Sequence, residues 1–330
     1  MNKENFNNLN ILQLISKYRT NLMGIGMLWI ILSHVHKQIN LPIIIKYPIF
    51  GLGFGGVEIF MFCAGFGIYY SLSKKTDILD FYLRRIKRFF PAIPFFIIYF
   101  FLSKITSIHV IIGYFTYQSF WIQKSAFAFL SYIFLFYLLS PIFYNLINAR
   151  LITFKKQIYF LILLYFLTIP YWLDWRISGI SRIISFVIGM YAGYWSNKNL
   201  FISCKQFFYI LLVSFISFLG LIITHSLLYE YRINYGLCYY FMALFVPGLI
   251  LSICLIYQKI GINKDIFYFI GEKSLEIFLV DSMVVMYLKN ISPIEHILIS
   301  LVVGSTYYYF YKKFSFLLQN IQKIIIFKEV

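Results

Sequence analysis

His34 closes an apolar stretch, Leu22-Met23-Gly24-Ile25-Gly26-Met27-Leu28-Trp29-Ile30-Ile31-Leu32-Ser33-His34-Val35, and is the residue there best suited to chemistry. An imidazole exchanges a proton near physiological pH and can act as a general base toward a hydroxyl. Ionisable side chains are costly in hydrocarbon and by default mark functional positions; the bland alternative is a histidine satisfied by a carbonyl of a neighbouring helix. His36 follows two residues later and, at 3.6 residues per turn, points to nearly the opposite side. We therefore assign His34 to the bundle interior and His36, beside Lys37, to the membrane interface. A second kind of chemistry, anion binding, is offered by Arg84-Arg85-Ile86-Lys87-Arg88, directly before Phe89-Phe90-Pro91. Arg85 and Arg88, three residues apart, share a helical face, and two guanidinium groups can fork onto phosphate oxygens. Ordinary positive-inside charge or anionic lipid binding is the competing explanation.

The other charges inside apolar stretches are Glu58, Arg182, Lys273 and Asp281. Arg182 falls near the external end of its span and Asp281 in the outer half of its own, on the same side as His34, so an Arg182–Asp281 pair is expected. Both a structural ion pair and a catalytic role fit it. Glu58 lies deeper and is not expected to bond His34.

Holding these residues requires a membrane. Hydrophobic residues make up 61% of the 330 and charged ones 12%, far from the mix of a water-soluble domain. Against the roughly 20 residues that a helix needs to cross hydrocarbon, the apolar runs predict an all-α polytopic bundle of about ten transmembrane helices. They fall near 21–38, 48–72, 89–103, 126–148, 157–173, 180–197, 206–228, 236–258, 265–288 and 292–311, in one domain spanning 1–330 with short connections. With the N-terminus inside, 20 basic residues fall on cytoplasmic segments against 7 outside, which places both termini in the cytoplasm. The same bias explains most of the +17 net charge without a nucleic-acid partner.

Several patterns carry no chemistry of their own. Gly51-Leu52-Gly53-Phe54-Gly55-Gly56 satisfies G-x-G-x-x-G but follows no strand, and its glycines are expected to permit close helix approach. Gly189 and Gly193 form a G-x-x-x-G packing face. Cys63, Cys204, Cys238 and Cys254 have neither metal-ligand nor disulfide spacing. His109, His225 and His296 are scattered along the chain, and no catalytic metal is predicted. The polar first residues lack the apolar core of a signal peptide, so the first span is expected to direct insertion.

The order of these features resembles acyltransferase family 3: a span ending in His34, then Gly56-Val57-Glu58-Ile59-Phe60 with Gly65-Phe66, then Arg85 and Arg88 before Pro91. Further similarity lies in Phe136-Tyr137-Leu138-Leu139-Ser140-Pro141, in Ser181 to Gly189 and in Ile270 to Val280, so that nearly the whole chain is covered. The resemblance implies an integral-membrane enzyme that acylates carbohydrate acceptors. It implies acyl-CoA as donor substrate, with no permanently bound cofactor, its phosphates held by Arg84, Arg85 and Arg88. It makes His34 the general base and Arg182 a stabiliser of the developing oxyanion, with Glu58 and Asp281 in support. The expected reaction moves an acyl group, acetyl first among them, to a hydroxyl of a cell-surface or lipid-linked saccharide, by direct transfer or through a transient acyl-histidine. The alternative is a non-enzymatic glycan or lipid transporter or flippase, with Arg182 and Asp281 lining a polar pathway. Two positions depart from the family: Met23 stands where many members carry an arginine, with Arg19 one turn earlier, and Asp281 stands where a histidine is common.

Overall fold

The computed structural model describes residues 11–35, 39, 42, 46, 49, 51–74, 77–116, 127–149, 153–170, 178–227, 234–288 and 290–328. The expectations for residues 1–10, His36 and Lys37 lie outside them. The helices are α1 (Ile11–Val35), α2 (Gly55–Ser73), α3 (Ile78–Lys87), α4 (Ile93–Leu102), α5 (Ile108–Phe115), α6 (Ala128–Ala149) and α7 (Phe154–Thr168). They continue as α8 (Ile183–Asn197), α9 (Cys204–Leu227), α10 (Asn234–Ile260), α11 (Ile266–Glu272), α12 (Ser274–Tyr287) and α13 (Pro293–Lys328), with 3-10 turns at Phe90–Ala92 and Ser178–Arg182. The described residues are 87% helical, without strands, and every expected crossing meets a helix. Among them, four stretches are long and apolar enough to cross a membrane unaided: Gly55–Ser73, Phe129–Ala149, Cys204–Thr224 and Leu237–Ile260. The other expected crossings fall on helices that are shorter, interrupted or more polar.

The membrane character is visible in how these helices distribute their side chains. On α9, Phe208, Leu212, Phe215, Ile216, Leu219 and Ile223 are exposed, while Ser214, Ser217 and Thr224 are buried. The outer face is thus apolar with helical period, the reverse of a surface helix in water. Nearer the centre, α2 is buried on most of its circumference, and small residues let other backbones approach it.

Three glycine contacts set the arrangement. A Cβ on Gly65 would overlap the carbonyl oxygen of Phe186, and one on Gly189 would overlap that of Phe62, so α2 and α8 touch backbone to backbone. In the same way a Cβ on Gly24 would overlap the carbonyl oxygen of Phe267, and one on Gly271 that of Thr20, joining α1 to α11. A Cβ on Gly56 would overlap the carbonyl oxygen of Gly26, joining α1 to α2. Gly53, Gly55, Gly56 and Gly189 therefore serve close packing, as their spacing predicts. Polar contacts add to the α1–α11 joint: Asn21 donates to the Asp265 carboxylate (2.9 Å), which also accepts from the Tyr268 N–H (2.9 Å) and from the Tyr257 hydroxyl.

The amphipathic helix α3 has a local explanation at each end. Asp77 caps its start. Pro91 limits its end, because a proline has no N–H to give and its ring clashes with the carbonyl four residues earlier, here that of Lys87. Phe81 and Arg85, four residues apart, turn inward, whereas Arg84, Lys87 and Arg88 are exposed.

Because the α2–α8 joint leaves no room for a methyl group, Gly65→Ala and Gly189→Ala should each destabilise the protein by about 1–3 kcal/mol, the usual cost of overpacking. Thermal unfolding of the purified protein in detergent would register this as a lowered Tm.

Candidate active site

His34 occupies the last turn of α1, with its side chain one-third exposed. Its Nδ1 lies 2.7 Å from Oδ2 of Asp281, which is fully buried on α12. The other carboxylate oxygen, Oδ1, is 2.8 Å from Nε2 of His296 and accepts a hydrogen bond from the Ser300 hydroxyl at 3.2 Å. One carboxylate thus bridges two imidazoles, and three partners offset the burial of its charge. A carboxylate accepts only, so the hydrogen-bond network assigns a proton to His34 Nδ1 and to His296 Nε2. Nε2 of His34 is left as an acceptor. The ligand atoms of His34, Asp281 and His296 all lie within 4.8 Å of one another, but each imidazole nitrogen approaches a different carboxylate oxygen at hydrogen-bonding distance.

The glycine joint brings His34 and Asp281 together. Gly24 and Gly271 touch; His34 lies ten residues further along α1, and Asp281 ten residues further on across the one-residue break between α11 and α12. At 1.5 Å per residue the two side chains arrive at the same height, about 15 Å beyond the joint. His296 is placed by a capping box at the start of α13: Glu295 N–H donates to Ser292 Oγ (3.3 Å), and Ser292 N–H donates to Glu295 Oε2 (2.7 Å). His296 follows immediately, and Ser300, one turn later, shares its face. The reading of His296 as one of the scattered histidines is therefore corrected. A capping signature followed by His and Ser four residues apart was the signal available for it.

The expected pair between Arg182 and Asp281 does not form. Arg182 Nη1 instead meets Glu58 Oε1 at 2.8 Å and the Phe54 carbonyl at 3.4 Å, with its guanidinium 4.4 Å from the centre of the Tyr239 ring. The register again explains the pairing: Gly65 and Gly189 touch, and Glu58 and Arg182 each stand seven residues before them. Both partners are buried.

The basic run lines a cavity of about 560 Å³ between α1, α2, α3 and α6. Arg84, Arg85 and Arg88 contribute from the α3 side, Arg19 from α1 and Lys74 from the end of α2, and no acidic residue is among the lining residues described. Arg85 is buried between the rings of Phe81 and Tyr137, 5.2 and 5.6 Å from their centroids, and its Nε lacks a hydrogen-bond partner among the described residues. Burial lowers the Arg85 pKa to about 10, and the charges of Arg88, Arg19 and Arg84 act in the same direction. It remains cationic at neutral pH. Met23, Phe60, Arg88, Ile133 and Tyr137 also line a smaller, apolar cavity of about 140 Å³ that reaches Ile30, Ser274 and Phe278. Ile30 is one turn before His34, and Phe278 three residues before Asp281. The basic cavity is thus continued inward by an apolar neck toward the bridged histidines. Arg19 was not among the candidate site residues, although its one-turn offset from Met23 was legible.

Residues 21–311 match the model of a family described as an acyltransferase domain. The chain belongs to acyltransferase family 3. Membership implies membrane acyltransferase activity. Neither a comparison with curated proteins nor one with solved structures returned a match.

Within this acyltransferase, breaking the buried Glu58–Arg182 pair from one side leaves a charge without its partner. Glu58→Gln should destabilise the protein by about 3–5 kcal/mol, while Glu58→Leu combined with Arg182→Leu should recover most of the loss. Unfolding midpoints of both variants in the same detergent check this.

Proposed function

We propose that the chain transfers an acyl group, with acetyl as the favoured group, from acyl-CoA to a hydroxyl of a cell-surface or lipid-linked saccharide. The observation that carries the reading is the His34–Asp281 contact at 2.7 Å, lying within a turn of a neck that leads to an acid-free basic cavity. Family membership supports the reaction type.

In this reading the donor enters from the cytoplasm. The guanidinium groups of Arg84, Arg85 and Arg88 hold its phosphates, and the uncharged pantetheine arm runs through the neck toward His34. Asp281 fixes the imidazole through Nδ1–H, so that Nε2 faces the acceptor. As the acceptor oxygen attacks the thioester carbonyl carbon, Nε2 takes the hydroxyl proton. The tetrahedral adduct then collapses, the C–S bond breaks, and the departing thiolate receives the proton from His34. Asp281 opposes the positive charge that His34 carries between the two proton transfers. His296 and Ser300 act through Asp281 by holding its carboxylate in place. Arg182, committed to Glu58, is assigned to fastening α8 on α2 rather than to the oxyanion.

The same reading takes the ten helical crossings as transmembrane with both termini inside, supported by the 20 to 7 distribution of basic residues. The α2–α3 connection then faces the cytoplasm. A cysteine introduced at the exposed Asp77 should resist membrane-impermeant reagent in intact cells and react once the cells are opened. Labelling from outside would reverse the donor side.

General-base assistance is typically worth about 10²–10⁴ in rate. His34→Gln should therefore lower acyl transfer by that range in reconstituted vesicles supplied with acetyl-CoA and saccharide acceptor, with donor binding retained. His296→Gln, which keeps an N–H for Asp281, should lose less than His296→Leu. Activity of His34→Gln within a few-fold of wild type, or acceptor transport without thioester turnover, would overturn the proposal.

A further inference from the structure

Arg19 reaches the basic cavity through a gap in the opposite helix. A Cβ on Gly67 of α2 would overlap Nη1 of Arg19 and lie 3.2 Å from its Cζ, so the guanidinium occupies the space that a side chain at Gly67 would fill. Both residues line the 560 Å³ cavity. This differs from the helix joints at Gly24, Gly56, Gly65, Gly189 and Gly271, in which a backbone carbonyl lies opposite. Here the neighbour is the tip of a flexible side chain, and the glycine makes room for a charge.

That charge enters a place already rich in its own sign. Arg19, Lys74, Arg84, Arg85 and Arg88 share the cavity wall, and the Nε of Arg85 is buried there without a hydrogen-bond partner among the described residues. Bringing like charges together is unfavourable unless an anion with several charges compensates them. Directly inward, where many family members carry an arginine, Met23 lines both the basic cavity and the apolar neck. The α1 charge is therefore moved one turn outward, about 6 Å along the helix axis. It stands fifteen residues, or about 22 Å, from His34.

We propose that Arg19 is the donor-binding arginine of helix α1 in this chain, gripping a phosphate at the nucleotide end of the thioester donor, and that Gly67 is the notch that admits it. The inference rests on the acyl-CoA reading above. It makes the position of Met23 part of the apolar passage for the donor's arm, and assigns the phosphate grip of α1 to the mouth alone.

The test is equilibrium binding to full-length protein in zwitterionic nanodiscs, comparing acetyl-CoA with acetyl-pantetheine, which carries the same thioester and no phosphate. Arg19→Met should weaken acetyl-CoA about tenfold, the scale of one lost charge-assisted hydrogen bond, and leave acetyl-pantetheine unchanged. Gly67→Ala should shift acetyl-CoA in the same direction while keeping the wild-type Tm, because a methyl group there displaces only the end of a flexible side chain. It thus tests the grip even if Arg19→Met folds poorly. Retention of acetyl-CoA affinity within twofold in both variants, with wild type still preferring acetyl-CoA to acetyl-pantetheine, would overturn the role of Arg19 and leave the acyl-CoA reading standing. Equal affinity of wild type for both donors would overturn the acyl-CoA reading and this inference together. Displacement of acetyl-CoA by added anionic lipid, equally in wild type and Arg19→Met, would make the cage a lipid site and count against the proposal.

Discussion

Backbone contact between parallel helices at paired glycines is the constraint on which the site depends. Where two helices touch through glycines at the carbonyls themselves, neither can slide along the other without losing the fit. Residues equally distant from the contact must then meet. The Gly24–Gly271 joint carries His34 to Asp281 ten residues on, and the Gly65–Gly189 joint carries Glu58 to Arg182 seven residues back. Two contacts, each made by a fully buried carboxylate, therefore follow from two steric facts. Each contact in turn offsets the cost of placing its charge in a low-dielectric interior.

The helical, membrane-borne character of the chain was legible from its apolar runs, and each run found a helix. The basic run before Pro91 and the glycine packing faces were also legible, because local spacing determines both. The partner of Arg182 was not. Depth judged from span boundaries favoured Asp281 over the deeper Glu58, and only the helix-to-helix register reveals Glu58 as the partner. His296 was hidden for a related reason: it becomes a partner of Asp281 through a turn between α12 and α13 that folds two stretches side by side. A polar residue inside an apolar span announces that it has a partner, whereas the identity of that partner is a property of the packing.

The two departures from the family acquire a physical meaning from the same geometry. Asp281 stands where a histidine is common, and an imidazole is returned to the neighbourhood from α13 by His296. Met23 stands where an arginine is common, and a guanidinium is returned to the cavity from one turn earlier by Arg19. In both cases the chemical group is present while its sequence position has changed, because more than one backbone position can deliver a long or ring-bearing side chain to one point. A carboxylate between two imidazoles also differs from an imidazole alone: it orients His34 from the buried side and leaves the opposite nitrogen open.

Because the Gly26–Gly56 contact links α1 to α2, the two register-locked pairs are themselves joined, and α1, α2, α8 and α11 form one stiff block. Such a block resists the sliding and rocking by which alternating-access carriers expose a central site to each side in turn. A protein built this way suits a stationary reaction centre held in a frame that stays in place.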